Sequence, residues 1–268
     1  MKTPRISASS YSNTAPLVWS FLYGQNHGKV ELILDNAPAR SAELLQQDRV
    51  DAALVPVIAY QMINGVRLVP DVCVGAKEKV RSVCLVTKGE DLKDARSVSL
   101  DVSSRTSVVL SKIIFREFLG FEPEWRDARP DINEMLAVSD AALLIGDPAL
   151  ALTETSTADH NRRKFDLVEL WRSFTGLGFV FAMWMTKNQR SPIDFATARD
   201  EGRSHLDEIA ANYTGEIGLA HDEMIRYLSE NISYSIDAEM QKGMELYFKL
   251  AAKNGLISAN RPLEFAAS

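Results

Sequence analysis

The chain has 268 residues, of which 46% are hydrophobic and 25% charged, and its formal net charge is −6. This length can bury a large core, organised as one large or two modest domains. The acidic balance gives no support for binding to nucleic acid or an anionic membrane, so local groups would have to hold any anionic ligand. The first residues lack the apolar segment of a secretory signal, and we expect a cytoplasmic protein.

A short apolar strand, a polar turn and a helix recur along the first third of the chain. The first unit has a strand from Arg5 to Ala8, a turn from Ser9 to Thr14 and a helix begun by Pro16. Further strands are predicted at Glu31 to Leu34, Asp51 to Val55, Val66 to Val69, Val72 to Val74 and Arg81 to Thr87. Pro70 is expected to separate the strand Val66 to Val69 from the strand Val72 to Val74.

The stretch from Val98 to Gly120 carries the clearest candidate for an anion site. It predicts a buried strand from Val98 to Val102, the polar turn Ser103 to Ser107 and a helix that ends at Gly120. A helix whose first turn has hydroxyl side chains and free backbone N–H groups attracts anions. The alternative is that these hydroxyl side chains only cap the helix, which is their usual role.

The second half of the chain continues the alternation and then becomes helical. The predicted elements are a strand edge at Glu124 to Arg126, a short helix at Asp131 to Ala137, a strand at Ala141 to Ile145, a strand at Phe179 to Met185, and helices begun near Pro192, Asp222 and Asp237. The strand at Ala141 to Ile145 is followed by the turn Gly146-Asp147-Pro148. The run from Phe179 to Met185 is too short to cross a bilayer, and we expect no membrane partner.

Strands that alternate with helices predict an α/β fold with parallel-rich sheets flanked by helices. The strands Arg81 to Thr87 and Phe179 to Met185 bracket a segment that is itself a complete strand–helix set, which indicates two lobes joined by two crossover strands. We expect lobe 1 to comprise residues 1–87 and 187–268, and lobe 2 to be the inserted residues 88–186. Ligands of such sheets lie beyond the carboxyl ends of the strands, where the polar turns should converge.

Several side chains have both a chemical and a structural interpretation, and spacing alone favours the structural one in each case. Ser82 could be a nucleophile, but no nearby His supports it, and a hydrogen-bonding role in a pocket fits better. Asp101 and Asp147 could be bases or could brace turns, and the strand-end position of Asp147 makes chemistry more plausible for it than for Asp101. Arg105 could bind a ligand carboxylate or pair with an acidic neighbour.

Metal, cofactor and redox chemistry have little support in the sequence. Cys73 and Cys84 lie in apolar strands and are expected to be buried reduced thiols. The four histidines have no metal-ligand spacing, and the glycine-rich nucleotide motifs and the G-x-S-x-G and H-E-x-x-H motifs are absent. We therefore expect no metal and no cofactor, and we expect the ligand to be a small molecule.

Six motifs occur in order along the chain: SYSNTAPL at 10–17, DAALVPV at 51–57, VRSVCL at 80–85, SSRTSV at 103–108, LLIGDPAL at 143–150 and LWRSFTGLGFVFAMW at 170–184. Together they resemble the chorismate dehydratase family of the futalosine route to menaquinone. The resemblance covers nearly the whole chain, because the C-terminal helices ending in AAKNGLI fit as well, and the six motifs are specific in combination. Ser12 departs from the family pattern, which commonly has an apolar residue before the Asn. The Pro-Cys-Pro-Asn-Asp turn of the sister family, which forms 1,4-dihydroxy-6-naphthoate, is absent.

The resemblance implies a two-lobed fold of the periplasmic-binding-protein type (type II), used as an enzyme that removes water from chorismate to give 3-[(1-carboxyvinyl)oxy]benzoate. It implies that Asn13 and Ser82 lie nearest the chemistry, and that Thr106, Ser107 and helix N–H groups hold a substrate carboxylate. The other residues expected to bind substrate are Ser10, Tyr11, Ser104, Arg105, Gly146 and Asp147.

Two questions remain open at this level. The proton acceptor could be the enolpyruvyl carboxylate of the substrate, with Asn13 and Ser82 positioning it, or it could be Asp147. The same fold could instead serve a solute-binding protein for a small carboxylate, a ligand-sensing domain, or the sister enzyme of the pathway, because fold alone does not determine function.

Overall fold

The computed structural model describes residues 3–35, 38–152 and 162–267. In these residues the strands form two five-stranded sheets, one in each of two lobes. Lobe 1 is built on the sheet with the order β2-β1-β3-β10-β4 and lobe 2 on the sheet with the order β7-β6-β8-β5-β9. The strands are β1 Arg5–Ser9, β2 Glu31–Asp35, β3 Ala52–Pro56, β4 Arg67–Ala76, β5 Val83–Thr87, β6 Ser97–Asp101, β7 Glu124–Ala128, β8 Ala141–Ile145, β9 Arg163–Asp166 and β10 Phe179–Thr186.

Helices cover both sheets and connect most of the strands. The α-helices are α1 Ala15–Leu22, α2 Pro38–Gln46, α3 Ala59–Met62, α4 Arg105–Ile113, α5 Ile132–Val138, α6 Gly146–Leu150, α7 Leu167–Thr175, α8 Phe195–Arg203, α9 Leu206–Ile217, α10 His221–Arg226 and α11 Ala238–Lys253. Short 3₁₀ turns lie at Ser12–Thr14 and Leu92–Asp94, and π-helical turns extend α4 and α10 at Ile114–Leu119 and Tyr227–Asn231.

Each sheet combines a parallel half with an antiparallel half. In lobe 1, β1 runs parallel to β2 and β3, whereas β10 runs antiparallel to β3 and β4. In lobe 2, β6 runs parallel to β7 and β8, whereas β5 runs antiparallel to β8 and β9. The predicted α/β class with helix-flanked sheets is confirmed, and the antiparallel halves come from the strands that follow the two crossovers.

The two strands after the crossovers lie in the opposite lobes from those expected from the sequence. The boundaries at 87 and 187 would place β5 in lobe 1 and β10 in lobe 2, but β5 pairs with β8 of lobe 2 and β10 pairs with β3 of lobe 1. Both strands are buried on both faces, so their apolar composition cannot indicate which sheet receives them. The chain changes lobe just before each strand.

The strand β4 corrects a second expectation. Residues 67–76 form one strand through Pro70, where two separate pieces were predicted. Because β4 is at the edge of its sheet, the missing N–H of Pro70 can face away from the ladder. The segment after β10 also differs from the prediction. Two helices, α8 and α9, lie where the sequence predicts one helix begun near Pro192.

A continuous apolar core joins the lobes. In lobe 1 the Trp184 ring stacks on Phe195 with 4.3 Å between ring centroids, and Phe21 packs edge-on against both rings. The last helix, α11, connects this core to lobe 2, because the Tyr247 hydroxyl donates a 3.0 Å hydrogen bond to the Thr106 carbonyl. None of the helices in the described ranges has the length and apolar run needed to cross a membrane.

Both cysteines are free and buried, as predicted. Burial raises the pKa of the Cys84 thiol to about 12 and also raises the pKa of Cys73. The thiols are therefore protonated at neutral pH, and their environment gives them a packing role.

Candidate functional site

A cavity lies between the lobes at the ends of strands from both sheets, and we call it the inner cavity. Its lobe 1 wall includes Ser9, Tyr11, Asn13, Thr14, Pro56 and Phe181, and its lobe 2 wall includes Val83, Ser104, Thr106, Ser107, Ile145 and Gly146. Its volume is about 60 Å³. Among the described residues that line it, Tyr11 alone has an ionisable side chain, so hydroxyl, amide and backbone groups supply its polarity.

The SSRTS turn forms the start of α4, as predicted. Ser104 is the N-cap, and its hydroxyl accepts a 3.3 Å hydrogen bond from the Ser107 N–H. Asp101 braces the turn by accepting hydrogen bonds from the N–H and hydroxyl of Ser103, at 2.9 and 2.6 Å. The carboxylate is fully buried and lies outside the inner cavity, which supports the structural role for Asp101.

Thr106 connects the start of α4 to lobe 1. Its hydroxyl donates to the Phe181 carbonyl at 3.1 Å and accepts from the Ile58 N–H at 3.4 Å. Thr106 therefore holds the helix N-terminus against β10 while the residue itself lines the inner cavity. The first N–H groups of α4 are placed where an anion between the lobes could reach them.

Arg105 lies next to these residues but is not among those that line the inner cavity. Its guanidinium is 3.6 Å from the carboxylate of Glu43 in lobe 1, and both side chains are more than a third exposed. Of the two interpretations of Arg105, binding a ligand carboxylate or pairing with an acidic neighbour, the structure shows the second. Exposed pairs of this kind contribute little to stability.

Asn13 lines the inner cavity, whereas Ser82 does not. Asn13 lies in the turn Ser12–Thr14, is 8% exposed and lines the inner cavity. Ser82 is fully buried behind the cavity wall, where its hydroxyl is 3.4 Å from the Val80 carbonyl oxygen. Both side chains lie beside the hydroxyl of Tyr227, a residue that the sequence analysis did not single out.

Tyr11 contacts lobe 2 directly. Gly146 adopts φ +63°, and a Cβ atom at this position would lie 2.9 Å from Cζ of the Tyr11 ring. Glycine is thus needed both for the backbone conformation and for the close approach of the ring. Burial raises the pKa of Tyr11, although its side-chain hydrogen bond with Ser103 opposes the shift.

Asp147 is not among the residues that line the inner cavity, and its carboxylate joins the lobes. Its carboxylate accepts hydrogen bonds from the Ser12 N–H, at 3.2 and 3.1 Å, and from the Ser12 hydroxyl. Burial raises the pKa of Asp147, while the hydrogen bonds from Ser12 lower it. Ser12, the residue that departs from the family pattern, is therefore one half of a contact between the lobes.

A second, outer cavity of about 570 Å³ lies on the other side of Tyr11 and is bounded by α1, α6 and α9. Asp147 and Ser10 line this cavity and are not among the inner-cavity residues. The carbonyl of Ser10 accepts a 3.2 Å hydrogen bond from the Tyr213 hydroxyl. Burial and the charge of Asp147 raise the pKa of Tyr213 to about 12.

The site depends on residues that short motifs do not reveal. Asp166 at the end of β9 is buried, and its carboxylate accepts hydrogen bonds from the N–H groups of Val80 and Arg81 at the first crossover, at 3.1 and 2.6 Å. This carboxylate fixes the loop that carries Ser82. In the sequence, the helix-cap pattern Asp166-x-x-Glu169 before an apolar helix could have indicated the structural role of Asp166.

Comparison with known proteins identifies the family. The sequence matches the family described as menaquinone biosynthesis over residues 4–253. It is also 30% identical over 255 residues to a chorismate dehydratase from Thermus thermophilus, and the match covers 88% of this chain and 91% of that protein.

Solved structures show the same fold at low sequence identity. A protein from Archaeoglobus fulgidus matches with a TM-score of 0.70 and 15% identity, covering 95% of this chain and 98% of that one. The periplasmic aliphatic sulphonate binding protein of Escherichia coli matches with a TM-score of 0.64 and 15% identity, covering 99% and 94%. The two-lobed fold is thus that of the periplasmic binding proteins, and the family match over nearly the whole sequence shows that the chain belongs to the menaquinone biosynthesis family.

Proposed function

We propose that this protein is a chorismate dehydratase, a carbon–oxygen lyase that converts chorismate to 3-[(1-carboxyvinyl)oxy]benzoate in menaquinone biosynthesis. The family match and the relative from Thermus thermophilus support the pathway and the reaction. The observation that supports the proposal for the site is the inner cavity, which is lined by Asn13 of lobe 1 and by the start of α4 in lobe 2. A cytoplasmic location, the single small-molecule partner and operation without a cofactor are parts of the same proposal.

The inner cavity suits a small dianion in spite of the acidic net charge of the chain. The N-terminus of α4 offers backbone N–H groups and the partial positive charge of the helix dipole. Ser107 places a hydroxyl group in the first turn of the same helix, whereas the single hydroxyl hydrogen of Thr106 is donated to the Phe181 carbonyl. We assign one substrate carboxylate to this helix start, which leaves the reacting edge of the ring toward Asn13.

The reaction needs orientation more than strong acids or bases. The C3 proton leaves to a base, the C3–H electron pair forms the C3–C4 double bond of the aromatic ring, and the C4–O bond breaks as the hydroxyl departs and becomes water. Aromatisation supplies the driving force, so the protein has to align the groups and stabilise the charge on the departing oxygen. An amide N–H of Asn13 is suited to the second task.

The proton acceptor in this proposal is the enolpyruvyl carboxylate of the substrate. The alternative base, Asp147, accepts hydrogen bonds from Ser12 and lines the outer cavity instead of the inner one. Asp101 is likewise outside the inner cavity. A protein base must come within hydrogen-bond reach of the proton that it removes, and the absence of both carboxylates from the lining of the inner cavity supports the substrate carboxylate as the acceptor.

Exchange of Asp147 for Asn separates the two possibilities. We expect Asp147→Asn to retain kcat within about tenfold of the original enzyme, because an amide oxygen still accepts from the Ser12 N–H and no proton transfer is lost. Steady-state turnover of chorismate, with the fold verified by circular dichroism, measures this effect. Ser12→Ala is the matched variant, since it removes the hydroxyl donor and leaves the carboxylate in place.

A loss of more than about 100-fold in kcat for Asp147→Asn, with chorismate binding intact, would show that Asp147 is the base. In that case Ser12→Ala should retain far more activity than Asp147→Asn. Similar small effects in both variants are expected if the Ser12–Asp147 contact only joins the lobes.

A further inference from the structure

The hydroxyl of Tyr227 has an unusual environment. The residue begins the π-helical turn Tyr227–Asn231 and is fully buried. Its hydroxyl lies beside the side chains of Ser82 and Asn13 but makes no hydrogen bond of normal geometry with the described residues. Leaving a buried hydroxyl unpaired costs stability, and π-helical turns are frequent at functional sites.

One ion pair connects the helix that carries Tyr227 to the loop that carries Ser82. Glu223 lies four residues before Tyr227, so both side chains are on one face of α10 and its extension. The Glu223 carboxylate pairs with the guanidinium of Arg81, the residue next to Ser82. Arg81 itself has φ +62°, a conformation that a non-glycine residue keeps only where its surroundings enforce it. The structure thus maintains a strained loop and an unpaired hydroxyl side by side.

The chemistry of the three side chains is complementary. Burial raises the pKa of Tyr227 well above its usual range, so the residue stays a neutral phenol that can donate one hydrogen bond and accept another. The Asn13 amide has one oxygen acceptor and two N–H donors, and Ser82 can donate from its hydroxyl. A chain from Ser82 through Tyr227 to the amide oxygen of Asn13 would satisfy all of these groups.

We propose that Tyr227 is a positioning residue for the reaction at the inner cavity, acting through Asn13. Its hydroxyl accepts from Ser82 and donates to Oδ1 of Asn13 when substrate is bound, which turns an Nδ2–H of Asn13 toward the C4 hydroxyl that leaves. Ser82, fully buried behind the cavity wall, then contributes through Tyr227. This inference rests on the proposed dehydration of chorismate.

Tyr227→Phe removes only the hydroxyl and tests the proposal. We expect kcat for chorismate to fall about 10- to 100-fold, in the range of a lost transition-state hydrogen bond, with KM changed less than about threefold. The melting temperature should stay the same or rise, because the variant removes an unpaired buried hydroxyl. A purely structural role for the hydroxyl predicts the opposite, lower stability with kcat retained.

Tyr234→Phe is the matched control. Tyr234 is also buried, and its hydroxyl has no hydrogen-bond partner among the described residues. Burial raises the pKa of Tyr234, and the ionisable group with the largest effect on this pKa is Tyr227, so Tyr234→Phe probes the same region of the core. We expect this variant to keep kcat within about twofold. Equal losses of kcat in Tyr227→Phe and Tyr234→Phe would show that the effect comes from the packing of this region, and this result would overturn the proposal.

A double-mutant cycle with Asn13 tests the route of action. If Tyr227 acts through Asn13, Tyr227→Phe should cost almost nothing in kcat in the Asn13→Ala background. Additive losses would overturn the inference, as would an unchanged kcat in Tyr227→Phe alone. Absence of chorismate turnover in the unmodified protein would instead reject the proposed function, so the two failures are distinguishable.

Discussion

Replacement of Asn13 by Ala is expected to lower kcat for chorismate dehydration by about 100- to 1000-fold, the cost of removing one preorganised hydrogen-bond donor from a developing oxyanion. Asn13 is the only amide side chain among the described residues that line the inner cavity. KM should change little, because the start of α4 holds the carboxylate independently of Asn13. Initial-rate measurements on chorismate, with melting curves to verify the fold, provide the test.

Asn188→Ala is the control for this substitution. Asn188 is an exposed amide beyond the end of β10 that is remote from the inner cavity, and we expect its loss to leave kcat unchanged. A kcat of Asn13→Ala within about threefold of that of the unmodified protein would show that Asn13 takes no part in the reaction. Such a loss of kcat is smaller than the loss expected when a transition-state hydrogen bond is removed.

Replacement of Gly146 by Ala is expected to lower kcat/KM for chorismate by about 10- to 100-fold, because the arrangement in which Tyr11 packs against residue 146 would become less stable by about 1 to 3 kcal/mol. The new Cβ would lie 2.9 Å from the Tyr11 ring of the opposite lobe, so the lobes could not approach as closely. Water would then enter the site, and the groups of the two lobes would be misaligned. The measurement compares kcat/KM with chorismate affinity for the same variant.

Gly120→Ala separates backbone strain from this contact. Gly120 lies in lobe 2 with φ +80°, and a Cβ atom there meets nothing within 4 Å. Both variants should lose stability, since alanine is strained at positive φ. Only Gly146→Ala should lose activity, and equal activity losses in the two variants would contradict the assigned role of lobe approach.

The sequence was sufficient to predict how the site is assembled from turns. The polar turns after β1, β6 and β8 follow apolar strands, and the carboxyl ends of parallel strands meet at one edge of each sheet, where the two lobes approach each other. Asn13, Ser104 and Gly146 accordingly come together at the inner cavity. The resemblance to the family added the reaction, which the spacing of these residues could not indicate.

The remainder of the site could not be predicted because it depends on which lobe receives each buried strand and on distant helices. Local sequence did not distinguish a base at Asp147 from a contact between lobes, and only the fold places Ser12 against it. Tyr227 lies on a helix far along the chain and has no motif. Its relation to Asn13 exists only once the C-terminal helices pack on lobe 1.

The most direct test of the account is incubation of the purified protein with chorismate, following the substrate and aromatic products by chromatography and mass spectrometry. The account predicts that chorismate is converted to 3-[(1-carboxyvinyl)oxy]benzoate and water by the protein alone, and that Asn13→Ala slows this conversion by about 100-fold or more. Tight binding of chorismate with no product formed would contradict it and would favour a solute-binding protein, as the fold also permits.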